Sequence, residues 1–222
     1  MNRAYFLTGT DTEIGKTFVT CALLRRARQL GLNAAGLKPV AAGTDAAGRN
    51  DDVENIRAAS SVTLPLEVIN PYRFAPAIAP HLAAAEAGVA IDFSRIAAAC
   101  AEARQQTDLL IVEGVGGFRV PLGVDRDSAD LAVALGLPVI LVVGLRLGCI
   151  NHALLTAEAI AARGLRLAGW VANRIDPDMV RVEDNIAALR QRIVAPLLGS
   201  VPRIAGSNPA AAASFLELSS VI

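Results

Sequence analysis

The glycine-rich stretch near the N-terminus contains the residues best suited to chemistry. It runs from Gly9 to Thr17 as Gly-Thr-Asp-Thr-Glu-Ile-Gly-Lys-Thr, between a short apolar run and a segment of helical period. Backbone N–H groups in such a loop bind an anion, and the ammonium of Lys16 can bridge the outer phosphates of a nucleotide. The hydroxyl of Thr17 can bind magnesium. The stretch therefore predicts a phosphate loop.

The spacing of the loop glycines departs from the commonest form. Five residues separate Gly9 from Gly15 here, whereas the commonest pattern has about four. The alternative is a plain glycine-rich turn with an exposed lysine. The position between a predicted strand and a predicted helix favours a variant nucleotide-binding loop.

Acidic residues in two other places could complete a magnesium site. Magnesium bound to a triphosphate takes only one or two carboxylates from the protein. Glu113 follows the apolar run Leu109 to Val112, and an acid at the end of a buried strand needs a partner to remain charged. Asp51 and Asp52 begin a helical segment, where the alternative role is to cap the helix or interact with its dipole. Spacing alone does not choose between these two aspartates.

These residues need a sheet whose strands end at one edge. Short apolar runs alternate with segments of helical period, which is typical of a parallel sheet covered by helices on both faces. The predicted strands are Tyr5–Thr8, Ala34–Leu37, Leu109–Val112, Pro138–Val143, Ala168–Ala172 and Leu198–Val201. The predicted helices are Lys16–Leu30, Asp52–Ser60, Asp92–Gln105, Ser128–Leu135, Asn151–Arg163 and Val180–Ile193. Ligands of such sheets bind beyond the carboxyl ends of the strands.

The predicted fold is therefore α/β and P-loop NTPase-like, a three-layer α/β/α arrangement with a mostly parallel central sheet. The length predicts a single domain, residues 1–222. Prolines interrupt Leu64 to Gly88, which we expect to be an insertion over the sheet edge. The alanine-rich piece Pro209 to Ser214 is either low complexity or a helix.

Composition excludes several classes of partner. The formal net charge is zero and no block of like charge occurs, so neither nucleic acid nor an anionic membrane is an expected partner. Apolar stretches such as Leu137 to Leu145 are far shorter than the roughly 20 residues of a membrane-spanning helix. The apolar run Ala4 to Leu7 is too short for a secretory signal, so we expect a cytoplasmic protein. The three cysteines match neither a metal-binding nor a disulfide spacing, so we expect reduced, mostly buried thiols.

Seven motifs in combination resemble the dethiobiotin synthetase family over nearly the whole chain. They are Gly9–Thr17, Gly36–Val40, Asn70–Tyr72, Pro80–His81, Val112–Gly117, Gly148–His152 and Gly169–Asn173. The resemblance implies an enzyme that uses ATP and Mg²⁺ to close the ureido ring of dethiobiotin. Its substrates would be 7,8-diaminopelargonic acid (7,8-diaminononanoate) and CO₂ or bicarbonate. The implied path forms a carbamate and then a carbamic-phosphoric anhydride, and it releases ADP and phosphate.

The resemblance also implies roles for the charged residues. Lys38 would hold the carbamate near the γ-phosphate, and Lys16 and Thr12 would be the other catalytic residues. Positive charge is needed there because two anions must meet. A lysine snorkelling at a strand end is the alternative for Lys38. Asp52, rather than Asp51, would join Thr17 and Glu113 as a magnesium ligand.

The remaining implied contacts belong to the nucleotide and the substrate. The nucleotide contacts are Gly9, Thr12, Glu13, Ile14, Gly15, Lys16, Thr17, Glu113, Asn173 and Pro202. The substrate contacts are Lys38, Ala42, Gly116, Gly148, Cys149 and Asn151. Asn173 would read the edge of adenine. The segment from Gly148 to Asn151 would receive the substrate carboxylate across the interface of a homodimer, although a simple helix start is the alternative. Ala42 stands where the family often has serine.

Two other enzyme or switch classes share this fold. A ParA- or MinD-like nucleotide switch usually has a second lysine early in the phosphate loop, where this chain has Thr10-Asp11-Thr12. Amidating synthetases of the same branch generally carry a glutaminase domain, for which this chain has no length. The synthetase is therefore preferred to the switch, which remains the alternative. The two histidines, His81 and His152, are not expected to act as general bases.

Overall fold

A computed structural model describes residues 3–204, 206 and 208–222. The strands are β1 Arg3–Gly9, β2 Ala34–Leu37, β3 Val40–Ala42, β4 Tyr72–Phe74, β5 Leu109–Glu113, β6 Val139–Leu145, β7 Leu167–Arg174 and β8 Leu197–Val201. The helices are α1 Lys16–Gln29, α2 Asp51–Ala59, α3 Leu66–Ile69, α4 Pro80–Glu86, α5 Phe93–Gln105, α6 Ser128–Leu135, α7 Cys149–Ala162, α8 Val182–Arg192 and α9 Pro209–Ala212. All six predicted strands and all six predicted helices are present, with bounds shifted by a few residues.

The central sheet has six parallel strands in the order β2-β5-β1-β6-β7-β8. Side chains alternate between its two faces, as the strand period requires. Phe6 packs with residues of α5 and α6 on one face, whereas the adjacent Leu7 packs with α1 on the other, and neither is exposed to solvent. The strands are therefore buried on both sides, and the predicted three-layer α/β fold is confirmed.

The proline-interrupted segment is joined to the chain that follows Lys38. Strand β4 pairs in parallel with β3, with Val40 opposite Tyr72. The amide of Asn70 donates to the carbonyl of Lys38 at 2.6 Å and to that of Tyr72 at 3.0 Å. These contacts hold the backbone of Lys38 at the end of β2. The segment therefore supports the backbone of Lys38. Its predicted position over the sheet edge did not imply this role.

The remaining expectations concern the cysteines, the C-terminal region and membrane spans. Cys21, Cys100 and Cys149 are all buried free thiols. The alanine-rich piece forms α9 and a 3₁₀ turn at Ala213–Phe215, so the helical alternative is confirmed. Within the described part of the chain, no helix is both long and apolar enough to cross a membrane.

Candidate active site

The predicted phosphate loop lies between β1 and α1. Gly15 is the N-cap of α1 in a left-handed conformation with φ of 82°, and Lys16 is the first helical residue. The Lys16 ammonium donates to the carbonyl of Asp11 at 2.8 Å, across the loop. Burial and repulsion from Lys38 lower the pKa of the Lys16 ammonium to about 8, and burial is the larger of these two causes. A partly desolvated ammonium at a helix N-terminus is suited to binding phosphate.

The second half of the loop is held by the end of β7. The amide of Asn173 is buried and donates to the carbonyl of Ile14 at 2.8 Å. A Cβ on Gly15 would lie 2.3 Å from that amide nitrogen, so no side chain fits there without moving Asn173. Gly15 is thus required both by its backbone angle and by this close approach.

A Gly15→Ala variant is expected to bind ATP at least about tenfold more weakly than the wild type. Left-handed backbone costs an alanine roughly 1–2 kcal/mol, about one factor of ten in affinity, and the clash with Asn173 displaces the loop further. Calorimetric titration with a non-hydrolysable ATP analogue measures the loss.

Gly31→Ala is the matched control for the Gly15 variant. Gly31 has φ of 80°, but a methyl group added to it would have no atom within 4 Å, and it follows α1 at the end remote from the loop. Its variant should lose stability while keeping wild-type ATP affinity. Undiminished affinity in Gly15→Ala would show that this loop does not hold the nucleotide.

A buried charge cluster lies beneath the loop. Glu113, at the end of β5, has no exposed surface and accepts hydrogen bonds from Thr17 at 2.7 Å, Thr20 at 2.6 Å and Lys38 at 2.6 Å. Lys38 also lies 3.0 Å from the carboxylate of Asp52. Two carboxylates that contact Lys38 and two threonine hydroxyls therefore lie close together. They are positioned by the carboxyl ends of β2 and β5 and by helices α1 and α2.

Lys38 and Asp52 stabilise each other's charged forms, and the carboxylate of Glu113 also favours the charged form of Lys38. Burial alone would lower the pKa of Lys38, but the carboxylates of Glu113 and Asp52 raise it above its usual value. Burial works in the opposite direction on Asp52, whose pKa is nevertheless held below its usual value by the charge of Lys38. Lys38 is buried with its ammonium against both carboxylates, whereas a lysine snorkelling at a strand end would keep its ammonium in water.

The donor set of this cluster fits magnesium. The hydroxyl of Thr17 and the carboxylates of Glu113 and Asp52 are hard oxygen ligands, and all lie around one cationic group, the Lys38 ammonium. Two carboxylates suffice for an ion that is also bound by phosphates. Among the described residues there is no cage of three or more His, Cys, Asp or Glu side chains.

The structure distinguishes the two aspartates that spacing left open. Asn50, not an aspartate, is the N-cap of α2, and its side chain accepts from the backbone N–H of Val53. Asp51 is exposed on the first turn, whereas Asp52 lies against Lys38. The capping role considered for Asp52 is therefore wrong.

A cleft of about 900 Å³ opens above the loop and the charge cluster. The predicted site residues on its lining are Thr12, Glu13, Gly15, Lys16, Thr17, Lys38, Ala42, Asp52 and Gly116. The lining also includes small or apolar side chains, among them Ala77, Ile78 and Val115. The cleft therefore combines lysines and oxygen ligands with apolar residues, as needed for a ligand with an anionic end and an alkyl chain.

Other predicted site residues lie outside the lining of this cleft. Gly9 and Ile14 are in the body of the loop, Glu113 lies below it, and Asn173 and Pro202 are at the ends of β7 and β8. Gly148, Cys149 and Asn151 lie at the start of α7, after β6. This helix start is thus not brought to the cleft within one chain.

Three polar residues of the site were not predicted. Thr20 binds Glu113, Asn50 donates to the carbonyl of Gly43 at 2.7 Å, and Asn70 supports Lys38. Thr20 follows Thr17 by three positions, which places both on one face of a helix, so the spacing could have indicated it. The two asparagines act through loop contacts that have no comparable period.

Comparison with known proteins identifies close relatives over the whole length. A family model described as an AAA domain matches residues 3–211. The chain is 64% identical over 219 residues to an ATP-dependent dethiobiotin synthetase BioD of Aromatoleum aromaticum, covering 97% of each chain. It is 54% identical over 220 residues to a protein of the same name from Ralstonia nicotianae, covering 98% of this chain and 96% of the relative.

Solved structures with low sequence identity share the fold. A ParA family ATPase from Chlorobium tepidum aligns with a TM-score of 0.56 at 13% identity, covering 99% of this chain and 93% of that one. A chain of the MinC:MinD cell division protein complex of Aquifex aeolicus aligns with a TM-score of 0.54 at 15% identity, covering 91% of this chain and 82% of that one. At these identities the similarity concerns the P-loop NTPase fold alone.

Proposed function

This chain belongs to the ATP-dependent dethiobiotin synthetase family, and we propose that its cleft closes the ureido ring on 7,8-diaminopelargonic acid by way of a phosphorylated carbamate. The observation that carries this proposal is the position of Lys38. Its charged side chain lines the same cleft as Lys16 and the phosphate loop. A carbamate and a γ-phosphate repel each other, and two lysines in one cleft can hold both.

The proposed steps balance without an added base. One amine of the substrate attacks CO₂ and releases a proton to the solvent, which gives a carbamate. A carbamate oxygen attacks the γ-phosphorus and ADP leaves, which gives the carbamic-phosphoric anhydride. The second amine then attacks the carbonyl carbon, the bond from that carbon to the phosphate oxygen breaks, and the departing phosphate takes the proton of the amine as dethiobiotin is released.

The residues of the chain would act by holding and neutralising these groups. Lys16 and the loop backbone bind the outer phosphates, and Thr12 lies in the same loop. Lys38 binds the carbamate and balances charge during transfer. Thr17, Asp52 and Glu113 would hold Mg²⁺, which when bound neutralises phosphate charge. Asn173 and Pro202 would bind the adenine, and the apolar residues of the cleft suit the alkyl chain of the substrate.

The far end of the substrate requires a second subunit in this proposal. Gly148, Cys149 and Asn151 begin α7, and a helix N-terminus can bind a carboxylate, but these residues do not line the cleft of the same chain. A homodimer of single-domain subunits would supply them from the partner. The buried free thiols are compatible with the reducing cytoplasm that we propose as its compartment.

Oxygen-18 transfer tests the proposed intermediate. In reactions started with doubly labelled C¹⁸O₂ and kept shorter than its exchange with water, the released phosphate should carry one ¹⁸O atom for each dethiobiotin formed. Mass spectrometry of both products measures this ratio. Phosphate without the label would rule out the anhydride. Phosphate release indifferent to the diamine would instead favour an ATPase of the switch type.

A further inference from the structure

The phosphate loop makes a line of contacts with the end of β6. The backbone N–H of Thr10 donates to the carbonyl of Val142 at 3.0 Å, and the N–H of Gly144 donates to the hydroxyl of Thr10 at 3.4 Å. One step further, Arg146 Nη2 lies 2.5 Å from Asp11 Oδ2. The roles described so far for the loop and for Lys38 use neither Asp11 nor Arg146.

Asp11 places a negative charge inside a loop that must hold a triphosphate. Its other carboxylate oxygen accepts from the N–H of Thr12 at 2.8 Å, and its carbonyl accepts from Lys16. The carboxylate therefore helps to shape the loop, but it would repel bound phosphates if it were not neutralised. Arg146 is the cation that contacts it.

We propose that Arg146 is a positioning residue for nucleotide binding, which neutralises Asp11 and holds the loop against the end of β6. Both side chains are a little under half exposed, 44% for Arg146 and 43% for Asp11. Exposed pairs of this kind contribute little to folding stability. We therefore expect the loss of Arg146 to weaken nucleotide binding and to change the stability of the fold little.

Four proteins test this assignment: the wild type, Arg146→Met, Asp11→Asn and the double variant. Arg146→Met should raise the dissociation constant for a non-hydrolysable ATP analogue with Mg²⁺ about tenfold, because the Asp11 charge is then unbalanced. The double variant should return to within about threefold of the wild type, because the repelling charge is gone while the asparagine oxygen still accepts from Thr12. Arg146→Lys should retain most of the affinity.

Arg57→Met provides the matched control. Arg57 pairs with Glu54 at 3.0 Å on α2, with exposures of 41% and 39%, so its loss removes the same charge from a similarly exposed pair outside the loop. It should bind the analogue like the wild type, and the thermal midpoints of Arg146→Met and Arg57→Met should both stay close to that of the wild type. The difference in affinity for the analogue between Arg146→Met and the wild type should also become smaller at high salt.

Two results would overturn the assignment. Wild-type affinity in Arg146→Met would show that the pair has no part in nucleotide binding. A double variant as weak as Arg146→Met would show that the Asp11 charge is not the cause of the loss. The titrations need no diamine, so this inference and the proposed ring-closing steps can fail independently.

Discussion

A Lys38→Met variant is expected to form dethiobiotin about 100- to 1000-fold more slowly than the wild type, the usual loss when one group that stabilises developing charge is removed. Methionine is close to lysine in length but carries no charge. Lys38 is only 4% exposed and is supported through its carbonyl by Asn70, so solvent cannot replace its ammonium. Steady-state turnover with detection of dethiobiotin by mass spectrometry measures the loss.

The same variant is expected to bind Mg²⁺ more tightly than the wild type when no nucleotide is present. In the structure the Lys38 ammonium lies between Glu113 and Asp52, where it neutralises the two carboxylates proposed for the metal. Removing it leaves an uncompensated buried negative charge, which a divalent cation can balance. Mg²⁺ should therefore raise the unfolding temperature of Lys38→Met more than that of the wild type.

Lys38→Arg is the control that separates charge from geometry. It keeps the cation and should respond to Mg²⁺ like the wild type, while its planar guanidinium cannot reproduce the contacts of an ammonium and turnover should still fall. Wild-type turnover in Lys38→Met would contradict the proposed role. An unchanged response to Mg²⁺ would show that Lys38 does not compete with the metal.

Lysine-specific labelling can monitor the site directly. Lys16 and Lys38 are the only lysines in the chain, since all other cationic side chains among the 21 Lys and Arg residues are arginines. An amine-reactive reagent therefore reports on these two positions and on the N-terminus. Magnesium and an ATP analogue should protect Lys16, because bound phosphates would occupy its ammonium.

The sequence predicted those parts of the fold that have a local pattern. Buried strands such as β5 and β6 are near-continuous apolar runs between turn signals, so their existence and order could be read from the chain. Strands β3 and β4 have three residues each, which is too short for any period to be visible. They form because distant residues pair, and the resulting support of Lys38 by Asn70 could not be predicted.

The site shows the same difference between local motifs, which could be predicted, and contacts of distant residues, which could not. Gly15, Lys16 and Thr17 lie within one motif, and their relative positions follow from the loop itself. The contact of Thr20 with Glu113 joins residues 93 positions apart, and that of Arg146 with Asp11 joins residues 135 apart. Such contacts depend on which strands are neighbours in the sheet, and the alternation of strands and helices does not determine that order.

A Glu113→Gln variant is expected to lose both activity and stability. Glutamine keeps the shape of the side chain but cannot balance the charge of Lys38, which among the described residues is left with the carboxylate of the half-exposed Asp52. Removing one member of a buried pair typically costs about 3–5 kcal/mol of unfolding free energy. Turnover should fall by at least about 100-fold, because the charge that orients Lys38 and binds the metal is lost.

Asp52→Asn is the matched comparison, because Asp52 contacts the same ammonium but its side chain is 45% exposed, against 0% for Glu113. Water can take over part of its role, so its unfolding free energy should fall by only about 1 kcal/mol or less while Mg²⁺-dependent turnover still decreases. Urea unfolding measures the free energy of unfolding of both variants.

Combining Glu113→Gln with Lys38→Met should recover stability relative to Glu113→Gln alone, since no unpaired lysine then remains buried. Equal unfolding midpoints for Glu113→Gln and the wild type would show that the buried pair does not stabilise the fold, and a double variant less stable than either single one would show that the unpaired charge is not the cause.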